Sequence, residues 1–196
     1  SGNIYEILNF RGGGMAIHGG LLGGVLAGYI YTKVKKLNFF KMADCVVLGI
    51  PLAQAIGRWG NFMNQEAHGG PVTEQFISKF PQFIQNRMLI NGTYYHPTFL
   101  YESLWCCALL IILFVYRKHK KYEGELFLLY MFGYGLGRVW IEGLRTDQLI
   151  LPVVGLPVSQ LLAGVLVVVM GILIVYLRKH HSRYAMLALK TEPVKE

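Results

Sequence analysis

VVGLPVSQLLAGVLVVVMGILIVYL (Val153 to Leu177) runs for 25 residues without a charged side chain. About 20 apolar residues cross the roughly 30 Å hydrocarbon core of a bilayer as a helix. This stretch therefore predicts a transmembrane helix, and the rest of the chain agrees. Of the 196 residues 54% are hydrophobic and only 15% charged, and the mean hydropathy is +0.40. Such a composition is too apolar and too poor in charge for an ordinary soluble domain. Four more segments have the same character: Met15 to Thr32, Met42 to Ile56, Thr98 to Tyr116, and Gly124 to Ile141. The expected fold is an all-α integral membrane protein of five transmembrane helices in a single polytopic domain, residues 1–196. The second segment is the shortest, and it reaches spanning length only if it continues through Gly57 and Arg58.

The net charge of +8 is placed for a membrane rather than for nucleic acid. Lys33, Lys35, Lys36 and Lys41 lie between spans one and two, Arg117, Lys118, Lys120 and Lys121 between spans three and four, and Arg178, Lys179 and Arg183 after span five. These are alternate connections, hence one face. The positive-inside rule puts that face, with the basic tail 178–196, in the cytoplasm. Residues 61–97, between spans two and three, then form an extracytoplasmic segment. Its apolar residues Phe76, Ile77, Phe80, Phe83 and Ile84 recur at helical spacing interrupted by Pro81, which predicts short amphipathic helices on the membrane surface. Asn91-Gly92 predicts a tight hairpin turn within Met88 to Tyr95, since both positions tolerate positive φ. Such a segment would suit a lid or substrate-entry arm. Cys45, Cys106 and Cys107 all fall in apolar spans and read as small hydrophobes.

Polar residues at membrane depth are costly and mark function. The densest group is Gly57-Arg58-Trp59-Gly60-Asn61-Phe62-Met63-Asn64-Gln65-Glu66-Ala67-His68-Gly69-Gly70. Gln54, Arg58, Asn61 and Gln65 would share a helix face, although Gly60 and the following Asn argue against a helix continuing past Arg58. Taken alone, Arg58 also fits a snorkelling side chain at a helix end. On span four, Arg138, Glu142 and Arg145 sit at i, i+4 and i+7. A carboxylate between two guanidiniums fixes their planar forks, which suits an anion site and equally suits an ion pair stapling two helices. His18 lies among glycines in Gly12 to Gly24, and Glu102 in the opening of span three is expected to pair with an arginine.

Four motifs together resemble the bacterial prolipoprotein diacylglyceryl transferases: Gly57 to Gly70, Met15-Ala16-Ile17-His18-Gly19-Gly20, His96-Pro97-Thr98-Phe99-Leu100-Tyr101-Glu102, and Gly137-Arg138-Val139-Trp140-Ile141-Glu142-Gly143-Leu144-Arg145. The resemblance implies an inner-membrane, multi-pass enzyme that transfers the diacylglyceryl group of phosphatidylglycerol to the lipobox cysteine of a prolipoprotein and releases glycerol phosphate. It implies no cofactor and no metal. The partners it implies are phosphatidylglycerol, prolipoprotein signal peptides and membrane lipids, with no nucleic acid. Family members have seven spans, so the five read here correspond to the last five, and the chain resembles the C-terminal two-thirds of such an enzyme.

On that resemblance Arg58 and Arg138 clamp the phosphate, with Glu66 and Glu142 orienting them. Asn61, with Asn64 beside it, bonds the glycerol or phosphate oxygens, and Glu102 pairs with an arginine. Gly69 allows close substrate approach, and Arg145 steers lipid. His18 is the base, since imidazole as a group is suited to proton transfer near neutral pH, or else a headgroup ligand while the arginines lower the thiol pKa. Other classes fit less well. Ser103 and Ser159 lack a nucleophile elbow, and His18, His68 and His96 show no metal-ligand spacing. A non-catalytic carrier of anionic lipid headgroups uses the same arginines and remains the alternative.

Overall fold

The computed structural model describes residues 15–144 and 157–191, with side chains at 20, 23–144 and 157–180. His18 keeps its place in a helix but its side chain lies outside the described set. Arg145, and the start of the fifth predicted span at Val153, lie outside it entirely. The chain divides into two compact units, Ser1–Ala43 and Asp44–Glu196.

The first unit holds helix α1, Met15–Val34, and the start of α2, Phe39–Val46. Lys36 enters the left-handed region at φ 55°, and the Leu37 N–H returns to the Thr32 carbonyl at 2.8 Å, which closes α1 with the backbone turn typical of helix ends. Asn38 then opens α2. Its side-chain oxygen accepts from the Phe40 and Lys41 N–H groups at 2.9 and 3.2 Å, satisfying donors that have no partner inside the helix.

The second unit contains α3 (Ile50–Asn64), β1 (Pro71–Val72), α4 (Glu74–Ile77), α5 (Gln82–Met88), β2 (Leu89–Ile90), β3 (Thr93–Tyr95), α6 (Thr98–Tyr116), α7 (Glu125–Glu142) and α8 (Val158–Thr191). Two expectations change here. The segment Met42 to Ile56 is not one helix, because α2 stops at Val46 and α3 restarts at Ile50 with Pro51 in its first turn. Proline lacks the N–H that a continuing helix needs and is tolerated at a helix start. Conversely, α3 does not end near Arg58 but runs through Gly60 to Asn64, with Gln65 in the left-handed C-cap at φ 56°. A glycine in a helix costs about 1 kcal/mol, a small amount beside the aromatic packing of Trp59 and Phe62 on Phe99, where Phe62 and Phe99 stack at 4.3 Å.

Helix α6 packs against α3 on one side and α7 on the other, and α7 packs against α8. Val47, Leu109, Leu113, Leu126 and Tyr130 fill the α6–α7 contact. The outward surfaces are apolar: Leu104, Ile111 and Val115 on α6, and Leu162, Val165, Val168 and Ile172 on α8, are all about 60% exposed or more. In water such a continuous apolar surface is unfavourable, whereas lipid solvates it. Among the described residues, α6 with the following 3₁₀ turn and α8 are long and apolar enough to cross a membrane, and α2 with α3 makes a third if counted as one broken span. This is a helical membrane protein.

The segment after α3 is a small three-stranded antiparallel sheet in the order β1-β3-β2 with two short helices. Asn91 and Gly92, at φ 50° and 79°, make the tight β2–β3 turn that the sequence predicts. Helices α4 and α5 flank Pro81 as expected, but their apolar face turns inward. Ile77, Ile84 and Met88 are buried against Phe62 and Phe99, while Phe83 stays exposed. The segment is thus a cap packed on the ends of α3 and α6, since burial against aromatic side chains satisfies the same apolar residues that a membrane surface would.

Candidate active site

The polar residues within the helices converge. Arg58 projects from α3, one turn beyond Gln54, and its Nε pairs with Glu102 Oε2 on α6. The other oxygen of Glu102 lies 3.6 Å from Arg138 NH1 on α7, and Arg138 NH2 lies 2.5 Å from Glu142 Oε2 one turn along the same helix. The Ser159 hydroxyl of α8 donates to Glu142 Oε1 at 2.6 Å. Three helices are therefore linked by a chain of alternating charge, and the Ser159 hydroxyl ties in a fourth. Glu102 and Glu142 are each 5% exposed, so each carboxylate is compensated by guanidinium donors rather than by water, as buried charge requires.

Trp105, Cys106, Tyr134, Gly137 and Ile141 complete the walls, and the space between them is only about 10 Å³. That is barely room for one water, so the guanidiniums fill the site with their own counter-ions. Further polar bonds brace the walls. The Tyr130 hydroxyl donates to Gln54 Oε1 at 3.0 Å, the Ser103 hydroxyl to the Ala55 carbonyl at 3.1 Å, and the Trp59 indole N–H to Ser103 at 3.3 Å. Interhelical hydrogen bonds of this kind hold membrane helices in register.

The end of the Gly57 to Gly70 motif acts as a clasp. After the left-handed Gln65 and Ala67, the Gly69 N–H donates to the His96 carbonyl at 3.0 Å, the Gly70 N–H to the Leu144 carbonyl at 3.1 Å, and the His96 N–H to the Gly70 carbonyl at 2.9 Å. The Thr98 hydroxyl donates to the Ala67 carbonyl at 2.9 Å. A Cβ on Gly69 would fall 2.6 Å from His96 Cβ and 2.9 Å from the Leu144 carbonyl oxygen. The close approach at this glycine is thus made by the protein's own chain, fastening the starts of the cap and of α6 to the end of α7. The His96 ring rests on Phe76 at 4.7 Å and on Tyr101 at 5.5 Å, and burial pushes its pKa below the ordinary 6.5.

The geometry brings together Arg58, Glu102, Arg138 and Glu142. Glu66 does not stand behind Arg58: it is exposed, and its side chain accepts from the Asn64 amide at 3.2 Å. α3 continues past Gly60 to Asn64, and Glu66 follows its left-handed C-cap rather than folding back onto the guanidinium. Asn61 is half-buried on α3 and does not line the site's walls, and its amide has no hydrogen-bond partner among the described residues. His18 belongs to the first unit, and Arg145 lies outside the described residues. Sequence reasoning missed Trp105 and Tyr134. Helical spacing was the available signal, since Trp105 follows Glu102 by three residues and Tyr134 precedes Arg138 by four. Among the described residues no group of His, Cys, Asp or Glu is arranged to hold a metal.

Residues 1–177 match the family model described as prolipoprotein diacylglyceryl transferase. The chain belongs to that family. Three members illustrate the likeness, each named phosphatidylglycerol–prolipoprotein diacylglyceryl transferase. One from Clostridium botulinum (strain Langeland) is 54% identical over 183 residues, 93% of this chain and 71% of the relative. One from Clostridioides difficile (strain 630) is 58% identical over 149 residues, 76% of this chain and 56% of the relative. One from Bacillus cytotoxicus is 52% identical over 179 residues, 90% of this chain and 66% of the relative.

Proposed function

We propose that this chain is a transferase that moves the diacylglyceryl group of phosphatidylglycerol onto the lipobox cysteine of prolipoproteins, the first step of lipoprotein maturation. The cysteine sulfur attacks the glyceryl carbon, a carbon–sulfur bond forms as the carbon–oxygen bond to phosphate breaks, and glycerol phosphate leaves with the electron pair. The observation that carries this reading is the convergence of Arg58 and Arg138, from different helices, on one carboxylate inside an apolar bundle. Guanidiniums bind phosphate through two parallel N–H bonds, and such bonds count for more where water is excluded.

In this mechanism the phosphodiester takes the place of Glu102 between the two arginines. Glu142, held by Ser159, keeps the Arg138 fork oriented. Asn61 and Asn64 bond the glycerol oxygens, and Glu66 acts through Asn64. Gly69 holds the clasp that lets the substrate approach, and Arg145 steers the lipid. His18 takes the thiol proton, or binds headgroup while the arginine field favours the thiolate, which is the nucleophilic form. Five crossings, an inner-membrane location, an extracytoplasmic cap and a cytoplasmic C-terminus follow from the alternation of basic connections.

The test is to incubate membranes containing the protein with phosphatidylglycerol and a lipobox peptide and to measure the peptide mass. A diacylglyceryl increment on cysteine is expected. Lipid binding without that increment would make the protein a headgroup carrier instead.

A further inference from the structure

An apolar cleft of about 300 Å³ opens between α6 and α7. Ala108, Ile112 and Tyr116 line it from α6, and Leu129, Phe132 and Leu136 from α7. Trp105 lines both this cleft and the arginine site. Resting on the donor proposed above, we propose that the cleft seats one acyl chain of that donor, and that Trp105 is the specificity-determining residue that separates the headgroup site from the chain.

Trp105 is held in one position. Its indole N–H donates to the Gly133 carbonyl at 2.9 Å, and a Cβ on Gly137 would fall 2.3 Å from its Nε1. A Cβ on Gly133 would likewise fall 2.5 Å from Leu109 Cδ1. The two glycines, one turn apart on α7, give the indole and Leu109 the space they occupy. One end of the cleft is therefore a fixed aromatic wall whose other side belongs to the cluster of Arg58, Glu102 and Arg138.

The dimensions suit a single hydrocarbon chain. Trp105 to Tyr116 is eleven residues of helix, about 16 Å at 1.5 Å per residue, close to the depth of one leaflet of a core roughly 30 Å thick. Spread over that length, the volume corresponds to a cross-section of about 18 Å². An α-helix, 10–12 Å across with its side chains, is several times too thick. The apolar segment of a signal peptide is thereby a poor occupant, whereas a methylene chain fits. The flank is open to lipid, since Ile112 is 60% exposed. A chain can thus slide in sideways while its phosphate rises to the arginines, without leaving an apolar medium.

The experiment compares dipalmitoyl- with dioctanoyl-phosphatidylglycerol as donors to a lipobox peptide, using wild type, Ile112→Trp and Leu129→Trp. Both substitutions fill the deep end of the cleft, beyond the reach of an eight-carbon chain. The ratio of kcat/KM for the long over the short lipid should fall about tenfold in each, and in Trp105→Ala the ratio should lie closer to one than in wild type. An unchanged ratio in both filled variants overturns the proposal. A second measurement is independent of turnover: phosphatidylglycerol carrying a photoreactive diazirine near its acyl terminus is irradiated with the wild-type protein in vesicles. Adducts concentrated on α6 and α7 cleft residues are expected; equal labelling of the exposed α8 face at Val165, Val168 and Ile172 overturns the proposal. Absence of thioether from either lipid in wild type would instead remove the reaction and leave the labelling to decide the cleft.

Discussion

Arg58 and Glu102 form an ion pair that joins α3 to α6 in the middle of the apolar bundle. Because the same carboxylate also faces Arg138 at 3.6 Å, the resting site is self-neutralised, two guanidiniums against the carboxylates of Glu102 and Glu142. On the reading proposed above, an arriving phosphodiester exchanges with this internal anion, so Glu102 must turn away from the guanidiniums as the lipid binds, while Glu142 keeps the Arg138 fork oriented.

Arg58→Lys separates charge from shape. The ammonium keeps the cation but loses the planar fork. Thioether formation should drop on the order of 10²-fold, the usual effect of removing one oriented donor. Thermal stability in detergent should change far less, because Lys still neutralises Glu102. Turnover equal to wild type would remove Arg58 from the clamp.

Gly69→Ala tests the clasp. The added methyl meets His96 Cβ, the Leu144 carbonyl and Thr98 Cγ2 at 2.6, 2.9 and 3.0 Å, and backbone on one side cannot swing away. Overpacking of this kind costs about 1–3 kcal/mol. Unfolding midpoints in detergent should fall, with faster amide exchange at Gly70 and His96. If activity is lost while both measurements stay at wild-type values, Gly69 instead contacts substrate.

Much of this architecture is legible in the sequence, because the apolar runs, the Asn91-Gly92 turn and the i, i+4 pairing of Arg138 with Glu142 are local. What is not legible is tertiary choice. Gly60 reads as a helix end, yet the edge contact of Trp59 and the stacking of Phe62 on Phe99 outweigh its propensity. Glu66 is expected behind Arg58, whereas Glu102, forty-four positions away, is the carboxylate that pairs with it in space. Gly49-Ile50-Pro51 did carry a local signal for the break between α2 and α3. It was masked by the continuous hydropathy around it.

Asp44 is a structural acid at the opposite end of the bundle. Only 2% exposed, it accepts from the Gly124 and Phe127 N–H groups at 2.9 and 3.0 Å and from Lys120 Nζ at 3.2 Å. It thereby supplies the first turn of α7 with an anion from another helix, where the helix dipole favours negative charge. Asp44→Ala leaves the Gly124 and Phe127 N–H groups unsatisfied at a cost of about 1–3 kcal/mol each, whereas Lys120 keeps Glu123 at 2.7 Å. The unfolding midpoint should fall substantially, and a midpoint within a degree of wild type would refute the capping role.

Acid should loosen the clasp through His96. Burial lowers its pKa below the ordinary 6.5, because the folded state disfavours the charged ring packed beside Phe76. For a depressed pKa, the stabilising contribution is present above the unfolded value and is lost as pH falls through the folded value. Between pH 7.5 and 5, amide exchange at Gly69, Gly70 and His96 should accelerate more than exchange along α6. His96→Phe keeps an aromatic ring beside Phe76 but cannot take up a proton, so the selective acid response should disappear. A second histidine near the clasp is His68, tilted against Tyr95 at 4.2 Å. If His96→Phe retains the full acid response while His68→Phe abolishes it, the sensitivity belongs to His68 and this account of His96 is wrong.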